Sequence, residues 1–269
     1  MKDYSISLCW FRRDLRLHDH AALYDALRRS EAVHCIFVFD TDILDALIDR
    51  KDRRVEFIWR SVQELHQTLR QHGSALHILH GRACLLIPQF VQKLGAQAVF
   101  LNRDYEPAAI ERDADITRKL AQQGVVLHAY KDQVIFEQNE ILTGAGKPFS
   151  VFTPYRNAWL RKLEDSYLCA YPVEKYFSAL ARSDFLNKHI YSPPSLKAIS
   201  NTLQGVPDLS MLGFQKTNLS ELALPCGMSG AEKLFDSFKQ RIVHYREWRD
   251  FPAIQGGSYL STHLRFGTI

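Results

Sequence analysis

Three stretches of this 269-residue chain gather groups able to do chemistry. The first, Trp10-Phe11-Arg12-Arg13-Asp14-Leu15-Arg16-Leu17-His18-Asp19, sets guanidinium forks around one carboxylate, with Asp14 able to pair Arg12, Arg13 or Arg16. The second, Asn102-Arg103-Asp104-Tyr105-Glu106-Pro107, offers carboxylates beside amide and phenol groups. In the third, Gly256-Gly257-Ser258-Tyr259-Leu260-Ser261, small residues precede a helix start, so that backbone N–H groups and two hydroxyls can converge on an anion. Each alone also has an ordinary reading, as a surface ion-pair cluster or a glycine turn with Ser258 or Ser261 as N-cap.

Other signals carry less. Gly144-Ala145-Gly146-Lys147-Pro148 lacks the upstream glycine of a phosphate loop and has proline where Ser or Thr would hold magnesium, so a turn is expected. His18 and His20 flank Asp19 without further ligands at metal spacing, and no metal site is assigned. Arg53-Arg54, after Asp49 and Asp52, reads as a helix start. Five widely spaced cysteines, Cys9, Cys35, Cys84, Cys169 and Cys226, form no C-x-x-C pair and read as reduced, buried thiols.

The elements that must position these groups follow from periodicity. Apolar runs at residues 4–11, 32–39, 75–80, 97–102 and 125–130 have the length and aliphatic content of buried strands. Helical patterns lie between them at 22–27, 54–71, 85–94 and 108–120. Parallel strands need crossovers, so this alternation specifies a doubly wound α/β fold with a five-stranded parallel sheet. Ligands in such folds sit beyond the carboxyl ends of the strands, here near residues 11–17, 40–45 and 102–107. Residues 1–132 are read as this domain. Residues 133–228 form a proline-rich connector with helix-like pieces at 155–163 and 176–182, and its aromatic content implies that it packs on something. Residues 229–269 open a helical unit, where Ser229-Gly230-Ala231-Glu232 has the form of a capping box. A helix starting near Ser261 is expected to lack a partner for its apolar face.

Four segments in order resemble the DNA photolyase and cryptochrome family. Residues 10–19 are similar to its W-F-R-R-D-L-R-x-x-D signature, and 102–107 to its N-x-D-Y-E-P turn. Residues 147–159, Lys-Pro-Phe-Ser-Val-Phe-Thr-Pro-Tyr-Arg-Asn-Ala-Trp, resemble P-Y-x-V-F-T-P-F-x-x-x-W, and Tyr245 with 249–252 and 256–267 resembles Y-x-x-x-R-D-x-P…G-T-S-x-L-S-x-x-L-x-F-G. The resemblance implies the front part of a bacterial class I cyclobutane pyrimidine dimer photolyase: an antenna domain, a linker, and the first helices of an all-α FAD-binding domain. It implies light-driven electron transfer from reduced FAD to a pyrimidine dimer in UV-damaged DNA, with a cryptochrome photoreceptor or a truncated inactive product as alternatives. FAD contacts are carried over to Tyr245, Gly257, Ser258, Tyr259, Leu260 and Ser261, Gly257 standing where the family usually has Thr. The antenna groove is assigned to Arg12, Asp40, Arg54, Asp104 and Glu106. The antenna chromophore is left open among folate, deazaflavin and flavin, since Pro107-Ala108-Ala109 and residues 45–49 lack the groups that mark one folate-binding branch. In the family the dimer pocket, the flavin-ring contacts and the electron-relay tryptophans lie beyond the position matching Ile269, so no catalytic residue is assigned, and the chain alone is expected to bind FAD weakly and repair nothing.

The composition permits this reading. A net charge of +4 allows a DNA partner without demanding one. No apolar window reaches the roughly 18 residues of a membrane span, and no signal peptide is evident, so a cytoplasmic monomer is expected.

Overall fold

The computed structural model describes residues 2–182 and 205–269. The Pro193-Pro194 step of the connector lies outside the described residues. Five strands form one all-parallel sheet: β1 (Tyr4–Phe11), β2 (Ser30–Asp40), β3 (Leu76–Gly81), β4 (Ala98–Asn102) and β5 (Val126–Tyr130). Their spatial order is β3-β2-β1-β4-β5. The winding therefore reverses between β1 and β4, which opens a crevice beyond their carboxyl ends.

Both faces of the sheet are covered, because alternate strand residues point to opposite sides and both sets are apolar. On one side Cys9, Phe11, Phe37 and Phe100 pack with α1 (Ala21–Arg29) and α3 (Arg53–Gln71). On the other, Leu8, Trp10, Val99 and Leu101 pack with α4 (Ala83–Leu94) and α5 (Pro107–Gln122). Between β2 and α3 lies the four-residue helix α2 (Thr41–Leu44), which the sequence pattern does not show. Polar side chains cap α1, α2 and α3: His20 accepts from Leu23 N–H, Asp40 from Asp42 N–H and Asp52 from Arg54 N–H.

The connector packs on the sheet and on α3. Leu209, Leu212 and Phe214 join the first core, Trp59 Nε1 donates to the Pro207 carbonyl at 2.7 Å, and Glu56 accepts from Thr217 N–H at 2.6 Å. The expected helix α6 spans Phe152–Lys162. The piece expected at 176–182 is instead a 3-10 turn, Val173–Ala179, after which Leu180 forms a parallel bridge with Val33. The helix expected from Ser229 begins earlier, as α7 (Gly227–Lys239), and the capping box is absent. Glu64 of α3 takes that role, accepting from Ser229 N–H at 2.9 Å. Beyond α7 the apolar pattern does not continue as one helix. It breaks into a 3-10 turn and the single-turn α8 (Tyr245–Trp248), leaving Ile242, Val243 and Tyr245 exposed.

The last helix, α9 (Ser261–Phe266), does find a partner, contrary to the sequence-based expectation. The rings of His263 and Phe266 lie 5.2 and 5.6 Å from Phe57 of α3, and the Phe266 carbonyl accepts from Leu15 N–H. Gly267, at φ +61, sits where a Cβ would collide with the Arg13 backbone. The cysteine expectation holds only for burial of Cys9 and Cys35. All five are free thiols, but Cys84 and Cys226 are half-buried and Cys169 is exposed. No helix among the described residues is long and apolar enough to cross a membrane, and no group of three or more metal-ligating side chains occurs among them.

Candidate functional site

Beyond the carboxyl ends of β1 and β2 lies a cavity of about 900 Å³. Its walls come from the β1 and β2 ends, from α2, α3 and α5, and from α9. Arg12, Asp40, Arg54, Asp104 and Glu106 all line it. Their availability differs greatly.

The Arg12 side chain is largely buried and, apart from its Nε, committed. Its Nη1 holds Asp113 at 2.6 Å and its Nη2 donates to the Asn102 carbonyl, so it ties β1 to β4 and α5. Asp104 and Glu106 both accept from Arg13 Nη1, at 3.0 and 3.1 Å, and Glu106 also holds Arg265 of α9 at 2.5 Å. Arg54 is clamped by Asp52 at the start of α3, with its side chain 66% exposed. Asp40 is the exception. Its Oδ1 accepts from Asp42 and Ala83 N–H at 3.2 Å, while its buried Oδ2 has no hydrogen-bond partner and only a long 3.7 Å ion pair with Arg112. Burial pushes the Asp40 carboxyl above its ordinary range, against the opposing pull of Ala83 and Asp42 N–H and of Arg112. A buried acceptor oxygen at a cavity wall is suited to a ligand N–H donor.

The arginine-rich turn is held differently from the sequence-based expectation. Asp14 pairs with none of Arg12, Arg13 and Arg16 through their guanidinium groups. It lies 3.0 Å from His20 Nε2 and accepts from Asn102 Nδ2 at 2.8 Å and from Arg12 backbone N–H at 2.6 Å. Arg16 pairs instead with Asp132 at 3.0 Å. Burial works against ionisation of Asp14, yet His20 and the Arg12 N–H outweigh it and hold the carboxyl below its ordinary value. His18 stands apart from this cluster, while His20 is fully buried in it.

Sequence reasoning missed Trp10, Arg112 and Asp113. The Arg12 and Arg112 guanidinium carbons lie 5.0 and 5.1 Å from the Trp10 ring centroid. A signal for Arg112 exists: residues 108, 111, 112 and 115 share one helical face of α5, and all four line the cavity.

The second group of sequence-derived residues does not join the first in one enclosure. Ser261 alone belongs to both, lining the cavity with Thr262, Arg265 and Phe266. Tyr245 is 40% exposed and edge-on to Phe238, Tyr259 is 50% exposed at φ +57, and Leu260 is buried. Gly256 packs against the Trp248 backbone so closely that a side chain would not fit, whereas Gly257 faces open space. Ser258 Oγ accepts from Leu260 N–H at 3.4 Å. These residues fit one edge of an anion site, an open turn with two hydroxyls. They do not enclose a ligand.

Comparison with known proteins places the fold. A deoxyribodipyrimidine photo-lyase of Synechococcus sp. strain PCC 6301 is 33% identical over 263 residues, covering 97% of this chain and 51% of that enzyme. An uncharacterised 31.6 kDa protein in the atpI 5′ region of Synechococcus sp. strain PCC 6716 is 30% identical, covering 99% of this chain and 86% of its own. The crystal structure of an archaeal photolyase from Sulfolobus tokodaii, described as holding two FAD molecules with the implication of a novel light-harvesting cofactor, matches with a TM-score of 0.68 and 25% identity over 98% of this chain and 52% of that one. The chain thus spans about half the length of these photolyases. The family model for DNA photolyase matches residues 7–174, more than half of the chain, and the chain belongs to the DNA photolyase family.

Proposed function

We propose that this chain is the light-collecting portion of a deoxyribodipyrimidine photolyase, its cavity holding an antenna chromophore and its last turn contributing the first contacts to FAD. The observation that carries the proposal is Asp40 Oδ2, a buried acceptor with no hydrogen bond, in a cavity of ligand size at the strand ends of a family member. In this reading Asp40 accepts from a ring N–H of a planar heterocycle. Phe37, Phe39, Leu44 and Ile58 supply apolar contact, and the clamped pairs Arg54–Asp52 and Arg13–Asp104 bound the opening. The two FAD molecules of the Sulfolobus tokodaii photolyase favour a flavin among the candidate chromophores.

FAD would be held by Ser258, Ser261, the backbone of 257–261 and Tyr245, all of which leave its other side uncovered. When bound and reduced, FAD supplies the electron that splits a cyclobutane pyrimidine dimer and receives it back. Residues of this chain orient that group without enclosing it, so the chain alone binds FAD weakly and does not repair DNA.

The deciding experiment incubates the purified chain with FMN, an 8-hydroxy-5-deazaflavin or methenyltetrahydrofolate, removes free ligand and records the visible absorption. One of the three is expected to remain at about one per chain, and Asp40→Ala is expected to weaken its retention at least about tenfold. Retention of none, or retention indifferent to Asp40→Ala, defeats the proposal.

A further inference from the structure

Trp10 and Arg112 have no role in the reading so far, and Arg12 has only a structural one. Trp10 lies on β1 with its ring on the α4/α5 side, 2% exposed and lining the cavity. Arg12, just past the end of the strand, sets its guanidinium carbon 5.0 Å from the centroid of that ring. Arg112 reaches the same ring from α5. Asp113 pairs with both guanidiniums, at 2.6 Å to Arg12 and 3.3 Å to Arg112, and Asp40 lies 3.7 Å from Arg112. An indole face attracts cations and repels carboxylates, so these ion pairs turn their positive ends toward the ring.

An indole beside a photoexcited heterocycle is ordinarily a quencher. One electron leaves the indole, which becomes a radical cation, and enters the vacancy in the excited heterocycle, which becomes a radical anion. The electron then returns, both groups recover their starting state, no bond is made or broken, and the excitation is lost as heat. Any radical cation on Trp10 would form about 5 Å from two guanidinium carbons, in a site largely closed to water, where like charges repel strongly.

We propose that Arg12 and Arg112 make Trp10 resistant to oxidation, so that a chromophore in the cavity keeps its excitation long enough to pass it on. The inference rests on the antenna reading of the cavity and assigns Arg12 and Arg112 as positioning residues that act through Trp10. It also accounts for an aromatic wall at this position being a tryptophan flanked by cations rather than a bare one.

The test measures the fluorescence lifetime of whichever of FMN, 8-hydroxy-5-deazaflavin or methenyltetrahydrofolate the full chain retains. Four chains are compared: native, Arg112→Gln, Trp10→Phe, and the two changes together. The native and Trp10→Phe chains are expected to give equal lifetimes. Arg112→Gln is expected to shorten the lifetime about tenfold, and the double variant to restore it. Arg112→Met serves the same purpose should the glutamine variant fail to fold. A several-fold longer lifetime in Trp10→Phe overturns the inference, because Trp10 would then already quench. A lifetime unchanged by loss of Arg112 overturns it too. Either result, with the chromophore bound, leaves the antenna reading standing, whereas retention of no chromophore overturns both.

Discussion

At the residue scale, the decisive positions are those where a polar side chain had several partners within reach and the fold selected one. Asp14 is the clearest. Three arginines lie within two residues of it in sequence, yet the turn after β1 directs those side chains away from it, to Asp113, Asp104, Glu106 and Asp132. The carboxylate is left facing inward, where His20 and Asn102 meet it from α1 and β4. Local spacing could show that Asp14 would be paired but not with what, because its partners stand 6 and 88 positions away. Asp14→Ala strips an acceptor from three buried donors and is expected to lower stability by about 3–5 kcal/mol, read as a fall in the urea midpoint. The opposite case is the buried pair His34 and His77, whose ring nitrogens lie 3.1 Å apart. Burial lowers the proton affinity of both, that of His34 to about 4 from an ordinary 6.5. The unfolded chain then takes up protons first as pH falls. Stability from this group is therefore full above pH 6.5 and lost between 6.5 and 4, about 3 kcal/mol from His34. Chemical denaturation at stepped pH checks this, and His34→Leu is expected to flatten the decline.

At the scale of elements, the strand and helix rhythm was readable because a sheet buried on both faces demands uninterrupted apolar runs, and the amphipathic helices between them carry one apolar face each. Strands β1 to β5 lie within two residues of the expected bounds. What the rhythm hid were elements shaped by a distant neighbour. Ser229 and Glu232 have the spacing of a capping box, yet Glu64 reaches the start of α7 from α3 and sets it two residues earlier. Gly227, at φ +74, admits that carboxylate where a side chain could not pass. Glu64→Ala is expected to cost about 1–2 kcal/mol and Ser229→Ala less than about 0.5, a contrast that thermal melts resolve and that a capping box would reverse. The terminal helix follows the same logic. Six residues are too few to stand alone, and α9 exists because Phe57 and the β1 turn hold it. Gly267→Ala is expected to release α9 without unfolding the sheet. Hydrogen exchange would rise in residues 260–268 by at least about a hundredfold while protection of β1 and β4 stays unchanged.

For the whole molecule, the distribution of exposed apolar side chains is uneven. Phe152, Leu160 and Leu168, then Val243, Phe251, Tyr259 and Leu264, are all at least half exposed, whereas the sheet and its crossover helices show few such residues. The family signature was legible as four ordered motifs, short strings around glycine, proline and paired charges. The cavity as an enclosure was not legible, for it needs α9 folded back against the strand ends 251 positions away. The chain is expected to keep an antenna chromophore at about one per molecule while its FAD content stays well below that. Illumination of thymine-dimer DNA with the chain alone is expected to leave the dimers intact, and measurable repair would refute that division of labour.

The clasp between the β1 turn and α9 also orders events in time. Arg16 donates to the carbonyl of Gly267 across 251 positions, so the turn is made in synthesis long before its clasp. Until then the sheet can form with its crevice open on one side. In the antenna reading a chromophore would have that interval to enter freely, and once Ser261, Thr262, Arg265 and Phe266 line the cavity its departure would wait for the same segment to let go. Retention would then depend on the opening rate of residues 261–267 as well as on the contacts inside, Asp40 among them, and loosening that segment is expected to speed release.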